Sequence, residues 1–116
     1  MKNFLAIYTG TPASMSSWDT LTEQEKKSRT AEGIAAWHAW VEKHKVSIID
    51  TGAPLGRTKN VSASGIADIR NNMAGYTVVQ AETHEAAAKL FENHPHFTIF
   101  PGDGVEIMEC LPTPRP

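Results

Sequence analysis

The sequence predicts an α+β domain, because short apolar, β-branched runs alternate with two amphipathic stretches and turn-forming residues separate them. Three observations carry this expectation. Lys2–Thr9 (KNFLAIYT) and Gly75–Ala81 (GYTVVQA) have strand composition. The stretch from Leu21 to about Lys45 has helical patterning and a start signal. A second, shorter helical pattern follows Thr83 and places Ala86, Ala87, Leu90 and Phe91 on one face.

The elements follow in order. Lys2–Thr9 is expected as a buried strand. Thr11–Ser17, with Pro12 inside it and Gly10 before it, reads as a loop. Thr22 followed by Glu25 has the spacing of a capping box, in which hydroxyl and carboxylate each satisfy a free backbone N–H. Glu23 and Glu25 also suit the positive end of the helix dipole. This helix is expected to end near His44. Val46–Asp50 is the second strand, and Thr51–Asn60 is a connecting loop carrying Gly52, Pro54 and Gly56. Asn60–Ala63 and Ile66–Ile69 are expected to pair across a Ser64–Gly65 turn. Gly75–Ala81 is the next strong strand. The second helix is expected from an N-cap at Thr83 to Glu92, stopped by Pro95. Val105–Leu111 closes the series after the turn Pro101–Gly104. The domain is expected to span residues 1–111, with 112–116 (PTPRP) as a frayed or disordered tail.

Strand, helix, strand, strand, helix, strand is the split βαβ order, ferredoxin-like βαββαβ, with an antiparallel sheet and both helices on one face. Two helices cover one side of such a sheet. A second copy of the chain is the economical cover for the other, which predicts a homodimer. The chain has 116 residues, the length of one domain, and a hydrophobic fraction of 41% argues against wholesale disorder. A formal charge of −2 and the lack of a basic stripe speak against nucleic acid as a partner. No apolar run is long enough for a membrane span, and Met1–Tyr8 reads as a strand rather than a signal peptide. Cys110 is the single cysteine, expected as a small buried hydrophobe in the last strand, and a cytoplasmic location follows by default.

The candidate ligand-binding residues are Tyr8, Trp37, His38, Trp40, Asp50, His94 and His96. On the first helix, Ile34 and Val41, flanked by Ala31, Trp37 and His38, form the stripe expected to face the sheet. Gly33, Trp37, Trp40 and His44 form a second line at spacings of four, three and four. That line is either a wide core edge with Gly33 as a packing device, or the wall of a pocket with two indoles. His94-Pro95-His96 either lines a pocket or is solvated or caps a helix end. No metal is expected, since zinc needs three or four ligands and only these two histidines are close in sequence. Asp50 either serves as a base at a strand end or bonds the backbone of the Thr51–Gly52 turn. Tyr8, ending the first strand, points to the same region. No nucleophile elbow or phosphate-binding loop is present.

Several segments together resemble the YCII-related family of the dimeric α+β barrel superfamily. They are FLAIY from Phe4, WHAWVEKHK from Trp37, IIDTGAPLGRTKNVSASG from Ile48, GYTVVQAE from Gly75 and HEAAAKLFENHPHF from His84. The resemblance implies a ferredoxin-like subunit whose sheet faces that of a partner, forming a dimeric α+β barrel. Some YCII-like proteins carry a His in the first helix and an Asp before a Pro after the second, a proposed acid–base dyad. Here those positions fall near Ala35 and at His94-Pro95, so the dyad is not carried over.

Two functions follow as expectations. The first is a small-molecule binding or accessory protein with a pocket between the first helix and the sheet, needing no cofactor. The alternative is a cofactor-free enzyme of lyase, isomerase or monooxygenase type. There His38, His94, His96 or Asp50 would supply acid–base chemistry while Trp37 and Trp40 hold the substrate.

Overall fold

The computed structural model describes all residues, 1–116. Strand β1 (Lys2–Thr9) opens the chain. It leads to helix α1 (Pro12–Asp19), where the sequence reading places a loop. The reason lies in the caps. Thr11 and Ser14 form a reciprocal capping box, and Pro12 takes the first helical position, where its missing N–H costs nothing. The serines that suggest a loop instead return their hydroxyls to the helix. Ser16 donates to the Pro12 carbonyl at 3.1 Å and Ser17 to that of Ser14 at 3.1 Å.

Helix α2 (Glu23–Lys43) starts as its sequence predicts. Glu25 N–H donates to Thr22 Oγ1 at 3.1 Å, and Thr22 N–H donates to Glu25 Oε1 at 3.0 Å. Its inward face differs from the expected one. Gly33 and Trp40 are the buried residues, Val41 packs beside them, and Ile34 is 50% exposed. The Gly33–Trp37–Trp40–His44 line therefore turns toward the sheet, because Gly33 and the flat indoles allow a closer approach than the Ile34–Val41 stripe.

Strand β2 (Ile48–Pro54) starts later and runs further than expected, through Gly52 and Pro54. It is an edge strand, where a Pro breaks no ladder, and its pairing with the next strand slips twice, at Ile48/Asp50 and Asp50/Ala53. Strands β3 (Thr58–Ser62) and β4 (Gly65–Ile69) form the expected hairpin, which starts earlier than read because Thr58 and Lys59 pair with Ile69 and Asp68. Strand β5 (Met73–Ala81) follows, then helix α3 (His84–Lys89), capped by Thr83. Pro95 does not stop that helix, which ends earlier. Asn93 adopts the left-handed region (φ 58°), reversing the chain so that Pro95 opens the short helix α4 (Pro95–Thr98) under a His94 N-cap. Strand β6 (Gly104–Glu109) ends before Cys110, which is exposed rather than buried in a strand. Its amide bonds the Asn3 carbonyl at 2.9 Å and holds it at the sheet edge.

The main sheet has the order β2-β5-β1-β6, and each neighbouring pair is antiparallel. This is the ferredoxin-like arrangement, with the β3–β4 hairpin inserted between the second and third sheet strands. Alternation sorts the side chains. Phe4, Ala6 and Tyr8 of β1 and Thr77, Val79 and Ala81 of β5 face the helices and are buried. With Trp40, Ala87 and Phe91 they make the core. Leu5, Ile7, Tyr76 and Val78 lie on the other face, only half buried, beside Met108, which is 42% exposed. Only 13 of 116 residues are buried, and the chain measures 57 × 42 × 18 Å, a two-layer slab with a projecting arm. The arm is the hairpin, whose Val61–Ile66 pair is more than 70% exposed on both sides.

Candidate functional site

The helix-facing surface of the sheet does not meet α2 everywhere. Near the β2–β5 end it leaves a cavity of about 370 Å³, bounded by Thr51–Pro54 of β2, Ala74–Tyr76 of β5, Tyr8 of β1, Ile34 and Trp37 of α2, and His94, His96 and Phe100. Phe100 closes one end because Gly33 admits it. A Cβ on Gly33 would overlap the Phe100 ring. Gly33 thus makes room for a phenyl group of this chain, and that ring shapes the cavity.

Tyr8 sits at the centre. Its ring lies 5.1 Å from that of His94 and 5.2 Å from that of His96. Its hydroxyl is 2.7 Å from Thr77 Oγ1, and Thr77 in turn donates to the Thr51 carbonyl at 3.0 Å. Burial pushes the Tyr8 hydroxyl above the ordinary tyrosine pKa, a rise that the neighbouring Thr77 and Trp37 side chains oppose only in part. Tyr8 is therefore a neutral phenol.

The two histidines are held in defined tautomers. His96 Nε2 lies 2.7 Å from the Thr9 carbonyl, which can only accept, so Nε2 carries the proton and Nδ1 is bare in the neutral ring. Gly102 presses on this ring, since a Cβ there would overlap the imidazole, and its N–H bonds the His96 carbonyl at 3.0 Å. His94 is 1% exposed, and its Nδ1 accepts the His96 amide at 3.0 Å. Its proton is therefore on Nε2, which has no hydrogen-bond partner. That N–H sits among aromatic rings, and Trp40 meets the imidazole edge to face at 4.6 Å. Burial, reinforced by His96 and His44, pushes the His94 pKa down to about 4, so it is neutral at physiological pH.

Of the seven candidate residues, Tyr8, Trp37, His94 and His96 line the cavity. Trp40 stands behind His94 as core, 7% exposed, with its indole N–H donating to the Leu90 carbonyl at 2.7 Å. His38 is exposed and edges Trp37 on the outer side of the helix. Asp50 is exposed as well. Its Oδ1 accepts the Gly52 amide at 2.8 Å, which is the turn-forming role of an Asp and leaves it outside the cavity lining. His84 is remote from this group, stacked on Phe4 and bonded to the Ile107 carbonyl. Sequence reasoning missed Thr77, Thr51 and Phe100. Thr77 had a signal, since it is the one hydroxyl among the inward positions of GYTVVQA.

The chain thus has a ferredoxin-like α+β fold. No protein-family model matches the sequence, and no curated protein matches it either. Among solved structures the chain is similar to 5-chloro-2-hydroxyhydroquinone dehydrochlorinase from Burkholderia phenoliruptrix, determined in complex with 2,5-dihydroxybenzoquinone. The two share 18% identity with a TM-score of 0.53, over 91% of this chain and 90% of that one. At that identity the likeness speaks to the fold alone.

Proposed function

We propose that this chain is a small-molecule binding protein of the YCII-related type, which holds a planar, largely apolar ligand between α2 and the sheet. The carrying observation is the cavity of about 370 Å³, walled by Trp37, Tyr8 and Phe100 with the two tautomer-locked imidazoles beside them. Ligand sites are typically concave, mainly apolar and supplied with a few placed polar groups. The segments that resemble the YCII-related family include Ile48–Gly65, whose Thr51–Pro54 borders the cavity. The complex of the structural neighbour with a dihydroxybenzoquinone is in keeping with a ring-shaped ligand.

The working form in this reading is a homodimer in the cytoplasm. The half-covered face of Leu5, Ile7, Tyr76, Val78 and Met108 supports dimerisation, and no helix of the chain is long and apolar enough to cross a membrane. One observation favours the enzymatic alternative. His96 is backed by the Thr9 carbonyl, so Nδ1 is the unprotonated nitrogen of a ring that lines the cavity, a suitable general base.

The test pairs stability with binding. A library of small aromatic compounds is screened by thermal shift, and hits are titrated against wild type and Trp37→Ala. The reading expects hits whose affinity falls at least tenfold in the variant. It also expects a stability loss below the ~3–5 kcal/mol typical of truncating a core aromatic. A full core-sized loss of stability, together with a screen that yields no hit, refutes it.

A further inference from the structure

We infer that the cavity selects uncharged, hydroxyl-bearing aromatic rings, with the ligand hydroxyl donating its hydrogen to the Tyr8 oxygen. This rests on the reading of the cavity as a ligand site and adds the chemistry that the site demands.

Thr77 has one hydroxyl hydrogen, and it is given to the Thr51 carbonyl. The short contact between Thr77 Oγ1 and the Tyr8 hydroxyl must then be filled by the Tyr8 hydrogen. Tyr8 accordingly has no hydrogen left for a ligand and offers only lone pairs. His96 Nε2–H is consumed by Thr9, so its other ring nitrogen is also an acceptor. The indole of Trp37, which also lines the cavity, brings an N–H that can only donate. A ligand hydroxyl can accept from the indole and donate to Tyr8 at once. An ether or ketone oxygen can do only the former, and leaves the Tyr8 lone pairs unmatched.

Charge narrows the class further. The lining contains no Lys, Arg, Asp or Glu. A carboxylate bound there meets no Lys or Arg, and burying an unpaired charge is costly. The favoured ligand is therefore a neutral phenol or a hydroxylated ring, rather than an aromatic acid or a methyl ether.

The experiment uses three probes of matched shape: p-cresol, p-methylanisole and p-toluate. Calorimetric titration of the full-length protein at neutral pH should show p-cresol binding at least roughly tenfold more tightly than p-methylanisole, the usual consequence of an unmatched buried polar group. Binding of p-toluate should be weaker still. Tyr8→Phe should bring cresol and anisole within about twofold of each other. Thr77→Val frees the Tyr8 hydrogen, so it should raise anisole affinity relative to cresol; this arm stands even where Tyr8→Phe fails to fold. Equal binding of cresol and anisole to wild type overturns the inference while leaving the cavity reading intact. Tighter binding of p-toluate than of p-cresol overturns it in the same way. No binding of any probe overturns both.

Discussion

Acid should destabilise this protein in large part through His94, whose folded-state pKa is strongly lowered. The folded chain holds His94 at about 4, against an ordinary value of 6.5, with burial as the main cause. The folded state thus binds this proton more weakly than the unfolded state does. Above pH 6.5 the ring is neutral in both states and the term is silent. As pH falls toward 4, the unfolded chain takes up the proton first and stability is lost; below 4 the loss is complete. At roughly 1.4 kcal/mol per pKa unit, the gap corresponds to about 3 kcal/mol. The perturbation is His94→Asn. Its amide oxygen can still accept the His96 N–H that His94 Nδ1 accepts at 3.0 Å, so the N-cap of α4 survives while the titration is removed. Urea unfolding of both proteins, followed by tryptophan fluorescence between pH 7 and pH 4, separates the term from the titrations they share. Wild type should lose about 3 kcal/mol more than the variant over that range. Stability curves that stay parallel within ~0.5 kcal/mol would refute the assignment.

Further expectations concern packing, capping and assembly. Gly33→Ala improves helix propensity by about 1 kcal/mol, but its methyl group collides with Phe100, and overpacking typically costs about 1–3 kcal/mol. The variant should be less stable than wild type in denaturant titration, and a gain would show that Phe100 does not hold its place. Thr22→Ala removes the hydroxyl that accepts from Glu25 N–H and should lower stability by about 1 kcal/mol. An unchanged urea midpoint would mean that the box contributes nothing. Light scattering should report twice the 12.7 kDa chain mass, and Val78→Lys on the half-covered face should return the chain to monomer. A wild-type monomer at micromolar concentration would sink the dimer.

The parts of this fold that sequence reveals are those fixed by local chemistry. The Thr22–Glu25 box is readable because both its partners lie within one turn. The alternation of β1 and β5 is readable because burial on one face writes a period of two. Helix α1 was missed because Pro and Ser serve loops and helix starts alike, and the deciding capping bonds are made only in the folded chain. The inward face of α2 was misjudged for a different reason. Hydrophobicity favours Ile34, but Phe100, far along the chain, decides the contact by resting on Gly33. In the site, Tyr8, Trp37, His94 and His96 were legible as residue types, and of the two roles open to Asp50 the structure shows the turn-forming one. No spacing rule could announce Thr51, which contributes a carbonyl and not a side chain.

The irregular pairing of β2 has a consequence for how such a site could change. Asp50 and Ala53 pair with the β5 residues Val78 and Tyr76 on either side of Thr77, so Thr51 and Gly52 together face that one residue. The surplus residue is what brings the Thr51 carbonyl to the Thr77 hydroxyl. Deleting Gly52 would tidy the ladder of a strand that already lies at the margin of the sheet. It would also withdraw the terminal acceptor and let Tyr8 and Thr77 rotate their hydrogens freely. A single-codon loss on an outer strand could thereby convert a pocket that asks for hydroxyls into one indifferent to them, with every aromatic wall still standing.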